Sequence, residues 1–230
     1  MRRALPTLLL LAACAPRVTV PEGERQRVAA ELAGAIRFLR VAVYVGPFFG
    51  DRSMTLVSDR PASELDLLES PDGTTIQPPP PERILPPGTR MEIQQVQFPT
   101  GIIIFSRPVM TPRYHPWVFL RIEGDHRQYV FVLPQTVASL EDVRGNVDRV
   151  LVADDPGPAF RALPQVQREA ILKKEPLEGM GRQALDMAWG YPDKIVVDRP
   201  AGTEDWTWTG GKRRAFLQDE KLVRWEPRAP

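Results

Sequence analysis

Apolar positions in this chain change their spacing several times, and each change predicts an element. From Glu24 to Ala35 (ERQRVAAELAGA), Val28 and Leu32, and then Ile36, recur about one turn apart, the period of a helix with a single apolar stripe. Phe38 to Val45 (FLRVAVYV) is dense in β-branched and aromatic residues and reads as a buried strand, with a continuing helix as the alternative. Arg37, Arg40 and Pro47 argue against a membrane segment there.

Farther on, the pattern is that of strands. Met54 to Val57 and Leu65 to Leu68 are strand candidates, and Pro71-Asp72-Gly73 makes a turn. Pro78 to Pro81 has no amide donors and must run extended outside any sheet. Pro87-Gly88 turns into a strand from Arg90 to Phe98. Simple alternation puts Met91, Ile93 and Gln95 on one face and Glu92, Gln94, Val96 and Phe98 on the other. Gly101 to Phe105 is a short apolar run. Trp117 to Ile122 and Gln128 to Leu133 flank Glu123-Gly124-Asp125-His126 and form the clearest hairpin. A helix capped by Thr136 or Ser139 then runs to about Leu151, with Leu140, Val143, Val147 and Val150 on one stripe.

Asp154-Asp155-Pro156-Gly157-Pro158 breaks the pattern and sets a domain boundary. Beyond it a helix opens at Pro164 and runs to about Lys174, and a second, Arg182 to Trp189, closes on Gly190 with Pro192 following. Four strand candidates come next: Lys194 to Val197, Asp205 to Thr209, Arg213 to Gln218 and Leu222 to Trp225. Gly210-Gly211 fits a two-residue hairpin turn. The expected fold class is α+β. A β-rich domain with a terminal helix spans 36–155, and a small helix–helix–antiparallel-sheet domain spans 159–228.

The N-terminus adds a destination. Met1-Arg2-Arg3 is a basic start, Ala4 to Ala12 is a compact apolar run, and Leu11-Ala12-Ala13-Cys14 follows. The run is half the ~20 residues a spanning helix needs, so it is a targeting segment. Leu-Ala-Ala-Cys resembles the lipobox of bacterial lipoproteins. That resemblance implies a signal peptide at 1–13, cleavage before Cys14, and lipid (diacylglycerol, with palmitate-type acyl chains) on its thiol. Residues 14–35 would then be the lipidated cysteine, a tether and the first helix. Ala15 rather than Asp after the cysteine implies sorting to the outer membrane, facing the periplasm, with the inner membrane or cell surface as alternatives. Cys14 is the only cysteine, so no internal disulfide and no Cys-based metal site can form. Charge is nearly balanced, 30 basic against 29 acidic side chains, which gives no net basic field for nucleic acid.

Two further resemblances concern the folded part. Gly179-Met180-Gly181, Leu185, Trp189-Gly190-Tyr191-Pro192, Trp206-Thr207-Trp208, Phe216 and Leu222-Val223 together resemble the small SmpA/OmlA (BamE) outer-membrane lipoproteins. In those a Gly-Met turn and a short helix precede a Trp-bearing antiparallel sheet, and Gly181 stands where they carry Ser or Thr. Leu85-Pro86-Pro87-Gly88-Thr89-Arg90-Met91-Glu92-Ile93 resembles the opening turn of bacterial SH3-like barrels, which implies a barrel over about 50–135 and binding of wall peptides or proteins.

The chemistry-bearing residues are few. No G-x-S-x-G, H-E-x-x-H or glycine-rich phosphate loop occurs, and His115 and His126 are the only histidines. The sequence therefore predicts no enzyme, no metal and no cofactor. Arg107, Arg113, Tyr114, His115 and Trp117 gather on a proline-stiffened connection. Guanidinium forks recognise carboxylates and aromatic rings supply contact area, so this is the candidate binding segment. In the competing reading the two arginines brace a loop and Trp117 anchors the hairpin in the core. Trp206 and Trp208 share one strand face and are either an aromatic patch for a partner or the core under the Arg182–Trp189 helix. The expected function is a non-catalytic envelope scaffold or adaptor that binds envelope proteins. Peptidoglycan binding is the alternative, and an envelope hydrolase is a third reading.

Overall fold

The computed structural model describes residues 18–227, and Cys14 with the signal segment lies outside them. Helix α1 (Glu22–Leu32) leads into β1 (Ile36–Leu39), β2 (Val43–Phe48), β3 (Asp51–Ser58), β4 (Arg83–Leu85), β5 (Arg90–Gln97) and α2 (Gly101–Ser106). There follow β6 (Trp117–Arg121), β7 (Gln128–Val132), α3 (Leu140–Asp148) and β8 (Leu151–Val152). The remainder is α4 (Gly157–Ala162), α5 (Gln165–Lys173), α6 (Arg182–Trp189), then β9 (Lys194–Asp198), β10 (Thr203–Trp208), β11 (Arg213–Gln218) and β12 (Lys221–Pro227).

The fold is mixed α+β with two sheets. The large one has eight strands in the order β4-β2-β3-β7-β6-β5-β1-β8, antiparallel except for the β3–β7 pair. The small one is an antiparallel meander, β12-β11-β10-β9. The large sheet is strongly curled, and its connectivity shows why. In a flat sheet β1 and β2 would stand five strand spacings apart, roughly 24 Å, whereas the Arg40–Ala42 link reaches at most about 14 Å. The short β4–β5 link makes the same demand. The edges nevertheless do not pair, so the sheet is not a closed barrel, and the expectation of an SH3-like barrel is corrected on this point.

Alternation along each central strand fills two cores. Val118 and Leu120 of β6 with Tyr129 of β7 point to the interior covered by α1 and α3, where Val28, Leu32, Val143 and Val147 meet them. Trp117, Phe119, Val130 and Val132 point the other way, onto Phe48, Phe49 and Leu56 and under Leu65, Leu67 and Leu68. Burial on both faces is why β6 reads as an unbroken apolar run. A third core joins α4–α6 to the small sheet, and Ala42 from the β1–β2 link and Ile84 of β4 pack into it.

Several sequence expectations are revised. Phe38–Val45 is two strands rather than one, broken at Arg40–Ala42, where the Ala42 N–H donates to Met187 O at 2.8 Å. Leu65–Leu68 forms no strand; its leucines lie as a covering segment that closes through a Glu69–Thr75 bridge. In β5 the register slips between Ile93 and Gln95. This bulge returns Val96 and Phe98 to the same core as Met91 and Ile93, contrary to simple alternation. The apolar run 101–105 is helical. Helix α3 stops at Asp148 and the chain re-enters the sheet as β8. Its start is Ser139, which forms a capping box with Asp142. Helix α4 occupies what was read as part of a linker, and Pro164 caps α5 from outside it. The Gly210-Gly211 turn is a four-residue connection, 209–212, because Trp208 pairs with Arg213.

The turn at Pro87-Gly88 is fixed by contact as well as by backbone angle. Gly88 has φ 85°, and a Cβ there would lie 2.5 Å from Gly157 Cα, so α4 docks directly on the turn. Trp206 and Trp208 are buried beneath α6. The Trp208 Nε1–H donates to Gly190 O at 2.9 Å, and its ring meets Trp189 edge-on at 5.2 Å. These indoles belong to the core, and the aromatic-patch reading falls.

Candidate functional site

The segment from Arg107 to Trp117 is built around one buried guanidinium. Arg107 ends α2, and all five of its N–H bonds are spent. Nε and Nη2 donate to Gln97 Oε1 (3.1 and 2.8 Å), Nη2 also to Gln97 O (3.1 Å), and Nη1 to Arg113 O and His115 O (3.0 and 2.7 Å). Its carbon lies 3.6 Å from the centre of the Trp117 ring. Burial pushes its pKa down to about 9, which still leaves it charged at neutral pH. Among the described residues no carboxylate pairs with it within 4 Å. Carbonyl dipoles carry the charge instead.

The other residues divide between structure and surface. Trp117 is fully buried, and its Nε1–H donates to Pro112 O at 3.0 Å. Thr111 Oγ1 donates to Pro108 O at 2.7 Å. Three loop prolines thus sit where their missing N–H costs nothing, and all three of their carbonyls are used, that of Pro116 by the Leu133 N–H at 2.9 Å. His115 is buried with Nδ1 2.8 Å from Leu133 O, so Nδ1 carries the proton, and Nε2 accepts from the Gln135 amide at 3.0 Å. Arg113 and Tyr114 are half-exposed and paired with each other, Nη2 donating to the phenol oxygen at 3.0 Å. Of the five residues singled out in the sequence, Arg107, His115 and Trp117 build the loop, while Arg113 and Tyr114 present a surface.

That surface opens into a cleft of about 960 Å³. One wall is Val109 to His115 and the opposite wall is Leu65 to Pro71. Leu56, Phe131 and Val132 contribute from the large sheet, and Arg149, just after α3, with Thr209 and Lys212 of the β10–β11 connection, closes one end. The lining mixes apolar side chains with charge of both signs, Asp59, Glu64, Asp66 and Glu69 as well as Arg60, Arg113, Arg149 and Lys212. Arg60 and Arg149 both lie on Asp193 (3.8 and 2.8 Å). Among the described residues Arg113 and Lys212 have no ion-pair partner within 4 Å. The shape suits an extended apolar segment with a carboxylate or a C-terminus.

Sequence reading missed half of this site. The composition of Leu65–Leu68 suits a strand rather than a cleft wall, and Lys212 and Arg149 come from elements far away in the chain. No local signal marks them, since the cleft exists only where the two sheets meet. A second hollow of about 540 Å³ surrounds the β6–β7 turn and His126, but its lining is charged and largely paired, as in Arg90–Glu123, Arg121–Glu92 and Arg127–Asp125. Among the described residues no three His, Cys, Asp or Glu side chains converge to hold a metal.

No protein-family model, no curated protein and no solved structure matches this chain.

One contact region ties the sheets together behind the cleft. Glu64 and Arg213, both buried, pair at 2.8 Å, and Thr209 Oγ1 donates to Glu64 Oε2 at 2.7 Å. Beside them the Lys174 ammonium is buried, donating to Ala42 O at 2.5 Å and lying 5.1 Å from the Tyr44 ring centre. Burial pushes its pKa down to about 7. Asp186, on the same junction and 3.6 Å from Arg40, is pushed up to about 6 by burial. These groups hold the end of the cleft formed by the small sheet.

Proposed function

We propose that this chain is a lipid-anchored, non-catalytic binding module of the bacterial envelope, which holds an extended segment of another envelope protein in the 960 Å³ cleft. The observation that carries the reading is the cleft itself, walled by Leu65, Leu67, Leu68, Phe131 and Val132, in which Arg113 and Lys212 have, among the described residues, no carboxylate partner within 4 Å. Apolar side chains supply the affinity and the two cations set direction by meeting a carboxylate. Leu11-Ala12-Ala13-Cys14 supports the anchor, and Ala15 supports the outer membrane facing the periplasm. Among the described residues no helix is long and apolar enough to cross a membrane, so attachment falls to the lipid. The SmpA/OmlA-type resemblance fits the meander behind α6.

The test is photocrosslinking in intact cells from position 114 of the full chain, with a Cys14→Ser chain alongside. A discrete envelope protein captured from position 114, weakened by Arg113→Glu and lost with Cys14→Ser, is the expected result. An anchored chain that captures nothing specific from that position would sink the reading. A second reading follows from the same two cations, since wall stem peptides are rich in carboxylates. It expects the chain to sediment with purified sacculi and to be released by Arg113→Glu.

A further inference from the structure

Helix α2 and the loop after it carry an apolar tip that no described residue covers. Ile102 and Phe105, one turn apart on α2, are 84% and 88% exposed, and Val109 and Met110 beside them are 68% and 51% exposed. Ile104, on the opposite side of α2, is buried and fastens the helix to the body. Ile102 and Phe105 lie outside the lining of the cleft, whose wall begins at Val109 and Met110. The tip is also free of acid: from Ile93 to Ile122 the chain contains Arg107, Arg113 and Arg121 but no Asp or Glu.

The position of the tip relative to the chain's start decides what it meets. Gln97 at the end of β5 pairs with Trp117 at the start of β6, which pairs with Val132 at the end of β7. These three strand ends therefore form one end of the large sheet, and α2 leaves from it. From the same end Leu133 to Ser139 leads into α3, whose first N–H, on Leu140, donates to Glu24 of α1 at 2.9 Å. Arg144 pairs with Glu31 farther along, so α1 and α3 start side by side at this end of the sheet. Val20, just before α1, is buried there. Val20 is the sixth residue after Cys14, a reach of about 20 Å at full extension.

We propose that Ile102, Phe105 and their neighbours insert into the interfacial layer of the same bilayer that holds the Cys14 lipid, fixing the body upright with the cleft beside the membrane. The proposal rests on the anchor reading above. A body held within about 20 Å of the lipid by its own first residues has this end facing the membrane. A pair of exposed large apolar side chains suits a fluid surface that shapes itself around them, and the arginines of the segment suit anionic headgroups. One point of lipid attachment plus a second apolar contact also stops free rotation about the tether.

The test uses the full chain carrying Ile102→Cys, purified from membranes and reconstituted in phosphatidylethanolamine–phosphatidylglycerol vesicles. An environment-sensitive fluorophore is placed on residue 102, and shallow nitroxide-labelled lipid serves as quencher. Lipidation consumes the Cys14 thiol, and the mass of the N-terminal peptide reports it independently. The expected result is emission reduced to less than about half by the nitroxide lipid, while a fluorophore at Arg199→Cys, in the turn between β9 and β10, is unaffected. Residue 102 behaving as residue 199 does would overturn the proposal. So would a blue shift without quenching, which marks a protein occupant or a second copy. If the peptide mass shows no lipid on Cys14, the anchor reading fails by itself. The tip is then judged in the Cys14→Ser, Ile102→Cys chain with vesicles added, where quenching supports it and no quenching overturns it.

Discussion

Replacing Arg107 separates a loop brace from a ligand site. In Arg107→Ala, three backbone carbonyls (Gln97, Arg113 and His115) and the Gln97 side-chain oxygen lose their donors together, and the Trp117 ring loses its cover. Charge-assisted hydrogen bonds contribute roughly 1.5–3 kcal/mol each, and a desolvated cation over an indole about 1–2. Against this stands the cost of burying the guanidinium, which its pKa of about 9 places at several kcal/mol. The net loss expected is about 3–4 kcal/mol, in the range of a buried network deprived of its hub. Arg107→Lys should lose about 2 kcal/mol, because an ammonium cannot reach both Gln97 and His115 with a planar fork. Urea unfolding followed by tryptophan fluorescence reads both, and the alanine form should unfold at least about 1 M earlier. An alanine variant within about 0.5 kcal/mol of the parent, but with partner capture lost, would refute the brace and make Arg107 a ligand residue.

Three further outcomes follow from the junction behind the cleft. The folded chain holds Lys174 at about 7, below its ordinary value, so above that pH the unfolded chain binds the extra proton. Stability should therefore rise from about pH 7 toward 10, by up to about 1.4 kcal/mol per pH unit from this group, and Lys174→Met should remove that slope in urea titrations. Asp186 is held at about 6, above its ordinary value, so the folded chain binds the extra proton and stability falls as pH rises from about 4 to 6. Asp186→Asn should abolish that fall and be at least as stable as the parent at pH 7; a less stable variant there would mean the Arg40 pair outweighs burial. Glu64→Gln should cost about 3–5 kcal/mol by leaving Arg213 charged and buried. Joint replacement of Glu64 and Arg213 by Met should recover most of it in a double-mutant cycle, and failure to recover would show that the pair is not the coupling unit.

What the sequence determined by itself was local. Thr136 or Ser139 placed a helix start to within a turn, Gly190 ended α6, and the Trp117–Leu133 hairpin stood where β-branched and aromatic residues flank a glycine turn. Each depends on backbone angles and on neighbours within a few residues, and such interactions are written in order along the chain. The α+β class followed from the same signals. Tertiary structure decided the rest. The bulge in β5 answers to the partner strand β6, and the break at Arg40–Ala42 answers to the short link between strands far apart in the sheet. The fate of identical residue types was also settled at a distance. Arg107 is buried because Gln97 and two carbonyls meet it, whereas Arg113, six residues on, stays half-exposed. Ile104 is covered and Ile102 is bare although they share one apolar run. Burial depends on what the rest of the chain brings against a side chain, and no period in the local sequence encodes that.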